Sequence, residues 1–252
     1  MSLTSGTGPF GPNRSGASTS SRPIASSTSS PGRAASGRSP GDDATVDSER
    51  TVLVYESGRL PRYAFPAEDV CAEAHAKPEP DVEGYVRVPW NAADRWLEED
   101  EEIIVHLHDP YHRIEVLPSS RRVRAWIRGE LVAESSRPRI LFETGLPPRY
   151  YLPQEDVRME ALEPVDMRTG CAYKGWATYC DAATSAGRVP AVAWSYPEPL
   201  REGEQARGLL CFFQERPEFE VELDDVVQES PPTAWSGTAW LKAPWVMRGV
   251  RA

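Results

Sequence analysis

Residues 137–157 have the sequence RPRILFETGLPPRYYLPQEDV, and residues 50–70 have the related sequence RTVLVYESGRLPRYAFPAEDV. Ten of the 21 aligned positions are identical without a gap, at an offset of 87 residues. Self-similarity at a fixed offset indicates an internal duplication. In each copy a short apolar run precedes prolines, which favour extended backbone, and an acidic turn. The pair therefore predicts two related β units in one chain.

The two copies are predicted to differ in length. A weaker similarity relates EIIVHLHD (102–109) to EFEVELDD (218–225) at an offset of 116, which leaves about 29 extra residues in the second copy. The second copy also begins with a predicted hairpin, in which residues 121–129 and 130–135 alternate apolar and polar side chains and Arg128-Gly129 forms the turn. The corresponding residues 39–48 are not expected to form a strand with a core face. The first copy is therefore predicted to be truncated.

These comparisons predict four regions. Residues 1–48 are interpreted as a disordered tail rich in Ser, Gly and Pro, because few of their side chains are apolar. Residues 49–118 are the degenerate first repeat with its linker, and residues 119–230 are the complete second repeat. Residues 231–252 form a basic tail that contains Trp235, Trp240 and Trp245. We expect this tail to be poorly ordered or to dock on its own domain, and contact with a partner or with an anionic membrane surface is the alternative.

Composition and charge exclude several classes of protein. The 252 residues carry a formal charge of −10, and residues 42–229 alone carry −17, which disfavours nucleic acid as the main ligand. No apolar stretch approaches the roughly 20 residues of a membrane span, and no secretory apolar region begins the chain, so a cytoplasmic location is expected. The four Cys residues form no CxxC pair, which excludes a zinc ribbon and gives little support to a disulfide scaffold. No metal and no cofactor is predicted.

A mainly β fold with few short helices follows from the pattern of apolar residues. Helices are predicted only at 91–98 and within 203–214. Strands are predicted at 52–56, 102–107, 113–117, 122–128, 131–135, 139–143, 175–180, 189–194 and 218–223.

Several segments together resemble the bacterial domain-of-unknown-function 427 family, in which tandem copies occur. They are EEDEEIIVHLHDPYHRIEVLPSSRRVR (98–124), FETGLPPRYYLPQEDVRMEALEP (142–164), CAYKG (171–175) and AWSYPEP (193–199). The resemblance implies a β-tent (Mss4-like) fold, in which two antiparallel sheets meet at an angle. Zinc in β-tent relatives is held by paired CxxC motifs, which this chain lacks. The family also has a nucleotidyltransferase-like label, but this chain has no Gly-Ser loop followed by Asp-x-Asp.

The second copy contains the predicted functional site, a concave pocket of aromatic and cationic side chains. Arg149 and Lys174 would face the negative part of a small ligand, and Tyr150, Trp194 and Tyr196 would stack on its ring. Gly175 would permit close approach of the backbone. The predicted ligand-binding residues are Arg149, Tyr150, Tyr173, Lys174, Gly175, Trp194 and Tyr196. The alternative is that these aromatic residues fill the space between two sheets.

Two other classes of function stay open at this stage. Cys171 lies three residues before Lys174, and a cation beside a thiol is typical of a reactive cysteine, so a thiol-dependent enzyme is the second hypothesis. A purely structural or protein-interaction module is the third. His106, His108 and Asp109 could ligate a metal, but a structural role is favoured, and the acidic run Glu98 to Glu102 is interpreted as a solvated face.

Overall fold

The computed structural model describes residues 7–8, 11–12, 34–37, 44–56 and 60–248. The chain divides into two compact units, which are residues 14–109 (the N-terminal unit) and residues 1–13 with 110–252 (the C-terminal unit). All pairs of neighbouring strands are antiparallel in the described residues, and every helix there is a 3-10 segment of three to six residues. The predicted mainly β fold is therefore confirmed. The finer β-tent arrangement stays a prediction.

The C-terminal unit is built from two sheets. A sheet of eight strands has the spatial order Ile114–Pro118, Arg139–Glu143, Arg149–Leu152, Leu210–Phe212, Gly187–Ser195, Gly175–Thr184, Leu162–Cys171 and Met247–Arg248. A sheet of four strands has the order Glu130–Ser135, Val123–Ile127, Phe219–Leu223 and Val226–Val227. Thr7–Gly8 and Gly11–Pro12 pair as a separate short ribbon. The 3-10 segments are Gln154–Asp156, Met159–Ala161, Arg201–Ala206 and Ala239–Lys242.

Each face of the eight-stranded sheet covers its own hydrophobic core. Val192, Leu210 and Phe212 pack with residues of the four-stranded sheet such as Val123 and Val221. The opposite face carries a second core, which includes Tyr151, Trp194, Tyr196, Phe213 and Trp240. Successive residues of a strand point to opposite faces, so the apolar run Leu209 to Phe213 contributes to both cores. The candidate site lies on the second face.

The N-terminal unit also contains two four-stranded sheets. The first has the spatial order Glu101–Ile103, Arg95–Glu98, Ala34–Gly37 and Ala44–Ser48, and the second has the order Val52–Val54, Arg62–Pro66, Tyr85–Arg87 and Lys77–Pro78. The 3-10 segments are Ala67–Asp69, Ala72–Ala74 and Trp90–Ala92. Val46, Leu53, Phe65 and Trp96 form the core of this unit.

Residues that are 87 positions apart make the same contacts in the two units. Ser48 Oγ donates to Asp69 Oδ2 at 2.6 Å, and Ser135 Oγ donates to Asp156 Oδ2 at 2.7 Å. Arg50 pairs with Glu68 and Asp69 just as Arg137 pairs with Glu155 and Asp156. Isolated bridges join Val46 to Val70 and Ala133 to Val157. These recurring contacts support the predicted duplication, which stays a prediction.

The start of the first copy differs from the expectation. Ala44–Ser48 is a strand in which Thr45, Val46 and Ser48 are buried, so this stretch does have a core face. It pairs with Ala34–Gly37, in a position like that of the hairpin strands 123–127 and 130–135. The rest of the tail predicted to be disordered lies largely outside the described residues. The truncation predicted at this end is therefore wrong for residues 44–48.

The weaker similarity at offset 116 does not match the strand pairing. Glu98 pairs with Glu101 around one two-residue turn, and Leu223 pairs with Val226 around another. Strand 95–98, rather than 102–107, thus takes the place that strand 219–223 has in its own unit.

The boundary between the two units also differs from the predicted one at residue 118. Ile114–Pro118 pairs with Arg139–Glu143 and so belongs to the C-terminal unit.

Neither predicted α-helix is present. Residues 91–98 form the end of a 3-10 turn and then strand Arg95–Glu98, which is hydrogen-bonded on both sides. Residues 203–214 form the end of a 3-10 segment and then strand Leu210–Phe212, which lies between two partner strands. An apolar run of this length fits a buried strand as well as a helix. The 3-10 segment ends at Ala206, and Gly208 follows at φ +66 before the strand begins. Strand Leu162–Cys171 was not predicted.

The C-terminal tail is docked on its own unit over residues 231–248. Trp240 is buried, and its ring lies 5.4 Å from that of Phe213 and 5.7 Å from that of Tyr179. Met247–Arg248 adds an edge strand to Leu162–Cys171. The tail therefore covers part of the second core.

In the described residues, no helix is both long enough and apolar enough to cross a membrane.

Candidate functional site

A group of polar side chains meets around Glu143 in the C-terminal unit. Lys174 Nζ donates to Glu143 Oε2 at 2.5 Å, and His112 Nε2 lies 3.1 Å from Glu143 Oε1. The His112 ring stacks on Tyr173 with 4.5 Å between the ring centres. The Cys171 side chain interacts electrostatically with Lys174. We call Glu143, Lys174, His112, Cys171 and Tyr173 the Glu143 cluster.

The cluster is positioned by the turn that joins strands Leu162–Cys171 and Gly175–Thr184. Gly175 ends this turn at φ +92, and a Cβ there would lie 3.2 Å from both Glu198 O and Leu200 N. Leu200 N also donates to Lys174 O at 3.1 Å. The close approach predicted at Gly175 is therefore made by the chain's own backbone, which holds Lys174 in place.

His112 reaches the same place through the edge strand. Arg113 N donates to Thr144 Oγ1 at 2.9 Å, and Thr144 N donates to Arg113 O at 3.0 Å. These two bonds fix the segment that contains His112 beside the end of strand Arg139–Glu143. The His112 side chain is 21% exposed, compared with 7% for Glu143, so His112 and the partly exposed Cys171 connect the buried pair to solvent.

The Lys174–Glu143 pair is charged although it is buried. Burial favours the neutral carboxyl, but the Lys174 ammonium and the His112 hydrogen bond outweigh burial and lower the pKa of Glu143 to about 2. Burial opposes the ammonium in the same way, but Glu143 and Cys171 outweigh it and raise the pKa of Lys174 above its usual value. At neutral pH the cluster thus holds a fixed cation and a fixed anion side by side.

Arg149 is held in a second buried ion pair. Its Nη1 and Nη2 donate to Glu215 at 2.5 and 2.6 Å, and the Glu215 side chain is fully buried. Thr233, in the C-terminal tail, donates to the same carboxylate at 2.6 Å. The guanidinium also lies 5.4 Å from the ring centre of Trp194. Arg149 is therefore engaged by a carboxylate and a ring of its own chain.

The predicted aromatic residues are divided between the two faces of the sheet. Trp194 Nε1 donates to Tyr151 Oη at 3.0 Å, and Tyr196 lies in the same core. Burial raises the pKa of Tyr196 well above its usual value, with Tyr151 and Cys171 adding to the effect. Tyr150 belongs to the opposite core, because it alternates with Tyr151 along one strand. Tyr150 thus does not join Trp194 and Tyr196 in one ring-binding surface.

The arrangement differs from a cationic pocket. Both cations predicted to meet an anionic ligand, Arg149 and Lys174, are paired with the buried carboxylates of Glu215 and Glu143. The aromatic residues Tyr151, Trp194 and Tyr196 are core residues of the second face. The part of the Glu143 cluster nearest to solvent consists of the His112 imidazole and the Cys171 thiol. The buried Lys174–Glu143 ion pair lies behind these two groups.

The histidine-rich segment has structural contacts. His108 Nδ1 lies 2.7 Å from Glu98 Oε2, and His106 Nδ1 lies 2.7 Å from Leu107 O. Tyr55 donates to Asp109 at 2.9 Å. Glu98, the first residue of the acidic run, is therefore a partner of His108 rather than part of a solvated face. Within the described residues, no three His, Cys, Asp or Glu side chains are grouped to hold a metal.

Comparison with known proteins identifies the family of this region. The sequence model of a domain of unknown function (DUF427), also labelled NTP_transf_9, matches residues 115–225. Residues 115–225 are therefore similar to the DUF427 family. No curated protein matches the chain.

The DUF427 domain contains both buried ion pairs, since Glu143, Lys174, Arg149 and Glu215 all lie within residues 115–225. His112 lies three residues before the matched region and completes the cluster from the edge strand. The sequence predicts Lys174, Tyr173 and Cys171 as candidate site residues but not Glu143 or Glu215. For His112 it predicts a structural bond to backbone or an acid, and the acid is Glu143. The identity of Glu143 with Glu56 in the repeat was the available signal for Glu143, whereas nothing local marked Glu215.

Proposed function

We propose that the DUF427 domain binds a small molecule at the Glu143 cluster. The supporting observation is the carboxylate of Glu143, which is shared by a buried ammonium and a partly exposed imidazole. Ionisable groups are costly to keep charged away from water, and clusters of them are enriched at functional sites. A core built only for stability would be served as well by apolar side chains of the same volume.

The chemistry of the cluster points to a polar ligand without a large net charge. Lys174 is already neutralised by Glu143, so an added anion would compete with a carboxylate held at 2.5 Å. A ligand that presents both a hydrogen-bond donor and an acceptor would complement the cation and the anion together. The partly exposed His112 ring, stacked on Tyr173, offers the ligand a flat surface. This replaces the predicted anionic ligand.

A thermal-shift screen of polar metabolites against the full chain tests this proposal. A ligand at 100 times its Kd stabilises the native state by about 2.7 kcal/mol, which raises the melting temperature by several degrees. We expect the shift to be lost in His112→Gln and in Cys171→Ser. Cys180→Ser is the matched control, because Cys180 is also partly buried but packs against the opposite core. Absence of any stabilising compound, or a shift that survives in both cluster variants, would contradict the proposal.

A second candidate function is thiol chemistry, with Cys171 as the nucleophile. The electrostatic interaction between Cys171 and the Lys174 ammonium favours it, because a neighbouring cation stabilises the thiolate, the reactive form of cysteine. Lys174 would then stabilise the thiolate.

Alkylation of the native protein separates the two functions. We expect iodoacetamide at pH 7 to modify Cys171 at least about ten times faster than Cys180, measured by mass spectrometry of the digested protein. Cys180 is the internal control, since burial raises the pKa of its thiol. Equal rates at the two thiols would reject the thiol function while leaving ligand binding intact.

A further inference from the structure

A cavity of about 390 Å³ lies within the N-terminal unit, outside the DUF427 match. It is bounded by the ends of strands Arg62–Pro66 and Tyr85–Arg87, by Trp90 and Trp96, and by the segment 105–107. Its volume falls in the usual range of small-molecule sites. Neither the predicted site nor the proposed function uses any of these residues.

One wall of the cavity is a pair of stacked indole rings. The rings of Trp90 and Trp96 are parallel to within 10°, with 5.0 Å between their centres. Trp96 is buried, and its Nε1 donates to Trp90 O at 2.8 Å. Trp90 itself is 38% exposed. An exposed indole that is held in one orientation by a buried indole is a ready surface for stacking a flat ring.

Two cations face each other at the rim of the cavity. Lys77 and Arg87 are direct partners on neighbouring antiparallel strands, and both line the cavity. Within residues 44–56 and 60–248, neither side chain has a hydrogen bond or an ion pair. Like charges directly opposite each other destabilise a strand pair. An anion bound between Lys77 and Arg87 would remove that repulsion.

Arg62 also lines the cavity but is used by the fold. Its Nε and Nη2 bind Glu79 at 3.0 and 2.9 Å, and the Glu79 side chain is fully buried. Arg62 therefore anchors the wall, while the two cations at the rim stay available to a ligand.

The segment 105–107, which also lines the cavity, contains strained backbone. Val105 has φ +68, a conformation that β-branched residues rarely adopt, and His106 N donates to Ile104 O at 2.7 Å. This is the strained form of the γ-turn. Strained residues of this kind concentrate at sites that hold ligands. The Val105 side chain lines the cavity, so the strain lies in its wall.

We propose that this cavity binds a small molecule that combines a flat aromatic ring with one anionic group. The ring stacks on Trp90, and the anion lies between Lys77 and Arg87. The chemistry fits an aromatic carboxylate or a nucleoside monophosphate equally, because both place an anion beside a flat ring. This site is separate from the Glu143 cluster and does not depend on the function proposed there.

Isothermal titration of the full chain with two probes tests the proposal, and the probes are 2-naphthoate and adenosine 5′-monophosphate. We expect at least one to bind, with affinity reduced at least about tenfold in Trp90→Ala and in the double variant Lys77→Gln with Arg87→Gln. Adenosine and inorganic phosphate, which each carry half of the recognised chemistry, should bind more weakly than the monophosphate. Whichever probe binds identifies the source of the anion.

Matched controls lie in the C-terminal unit. Trp245→Ala removes another exposed indole, and Lys242→Gln removes another cation; both should leave the affinity unchanged. The charge variant replaces only exposed side chains, so it keeps the fold even if Trp90→Ala perturbs it. The proposal is overturned if neither probe binds, or if the control variants lose as much affinity as the cavity variants.

Discussion

Glu143→Gln is expected to lower the free energy of unfolding of the C-terminal unit by about 3–5 kcal/mol. The variant keeps the shape of the side chain but leaves the Lys174 ammonium buried without a counter-charge. Removal of one partner of a buried ion pair is far more costly than removal of both. Lys174→Met should therefore lower the free energy of unfolding by a similar amount. The loss in the double variant should be much smaller than the sum of the losses in the two single variants. Denaturant unfolding of the four proteins measures this coupling.

Glu163→Gln is the matched control, because Glu163 pairs with Arg188 at the surface and both side chains are more than half exposed. That change should lower the free energy of unfolding by less than about 1 kcal/mol.

The pH dependence of stability is a second test of the charged Glu143. The lowered pKa of Glu143 means that its contribution is present above about pH 4.5 and is lost as pH falls towards about 2. The free energies of unfolding of wild type and Glu143→Gln should therefore differ less at pH 3 than at neutral pH. A difference that stays constant with pH would contradict a charged, paired Glu143.

Arg149→Met is expected to lower the free energy of unfolding by a similar amount, about 3–5 kcal/mol. The reason is that the variant leaves the fully buried Glu215 carboxylate without its cation. Among the described residues, Thr233 would be the remaining donor side chain to that carboxylate. Since Thr233 belongs to the C-terminal tail, we also expect faster hydrogen exchange in residues 233–246. Arg149→Lys should fall between wild type and Arg149→Met, because lysine keeps the charge but cannot form the two parallel hydrogen bonds.

Arg137→Met is the control for Arg149→Met. Arg137 pairs with Glu155 and Asp156 on the surface and is 57% exposed, so its loss should cost about 1 kcal/mol or less. If Arg149→Met proved no more harmful than Arg137→Met, Arg149 would not be a structural cation. Its originally predicted role, facing a ligand, would then regain support.

Local pattern was enough to predict many of the strands. Strand Arg139–Glu143 has the predicted bounds, and Arg128-Gly129 forms the predicted two-residue turn, with both residues at positive φ. Alternation and turn chemistry act within a few residues, so they can be recognised without knowledge of the fold. Leu210–Phe212 shows the limit of this approach. Its apolar run fits helix or strand, and hydrogen bonds to two distant strands decide for the strand.

The candidate site was only half visible in the sequence for the same reason. Cys171, Tyr173 and Lys174 lie in one turn and were recognised together. The carboxylates that define their chemistry are remote, with Glu143 31 residues from Lys174 and Glu215 66 residues from Arg149. Without those partners, Arg149 and Lys174 were interpreted as free cations. Strand alternation predicts that Tyr150 and Tyr151 point to opposite faces of their sheet. It does not predict which of the two faces carries the candidate site.

The sequence by itself determined the similarity of residues 115–225 to the DUF427 family, the mainly β fold, the hairpin and the turn that carries Lys174. Each depends on residue order over short distances. Only the tertiary structure decided that Lys174 and Arg149 are neutralised, that the tail covers the second core, and that stacked indoles and facing cations meet in the N-terminal unit. Those properties depend on which distant side chains share a buried space, and burial sets both the strength and the cost of charge.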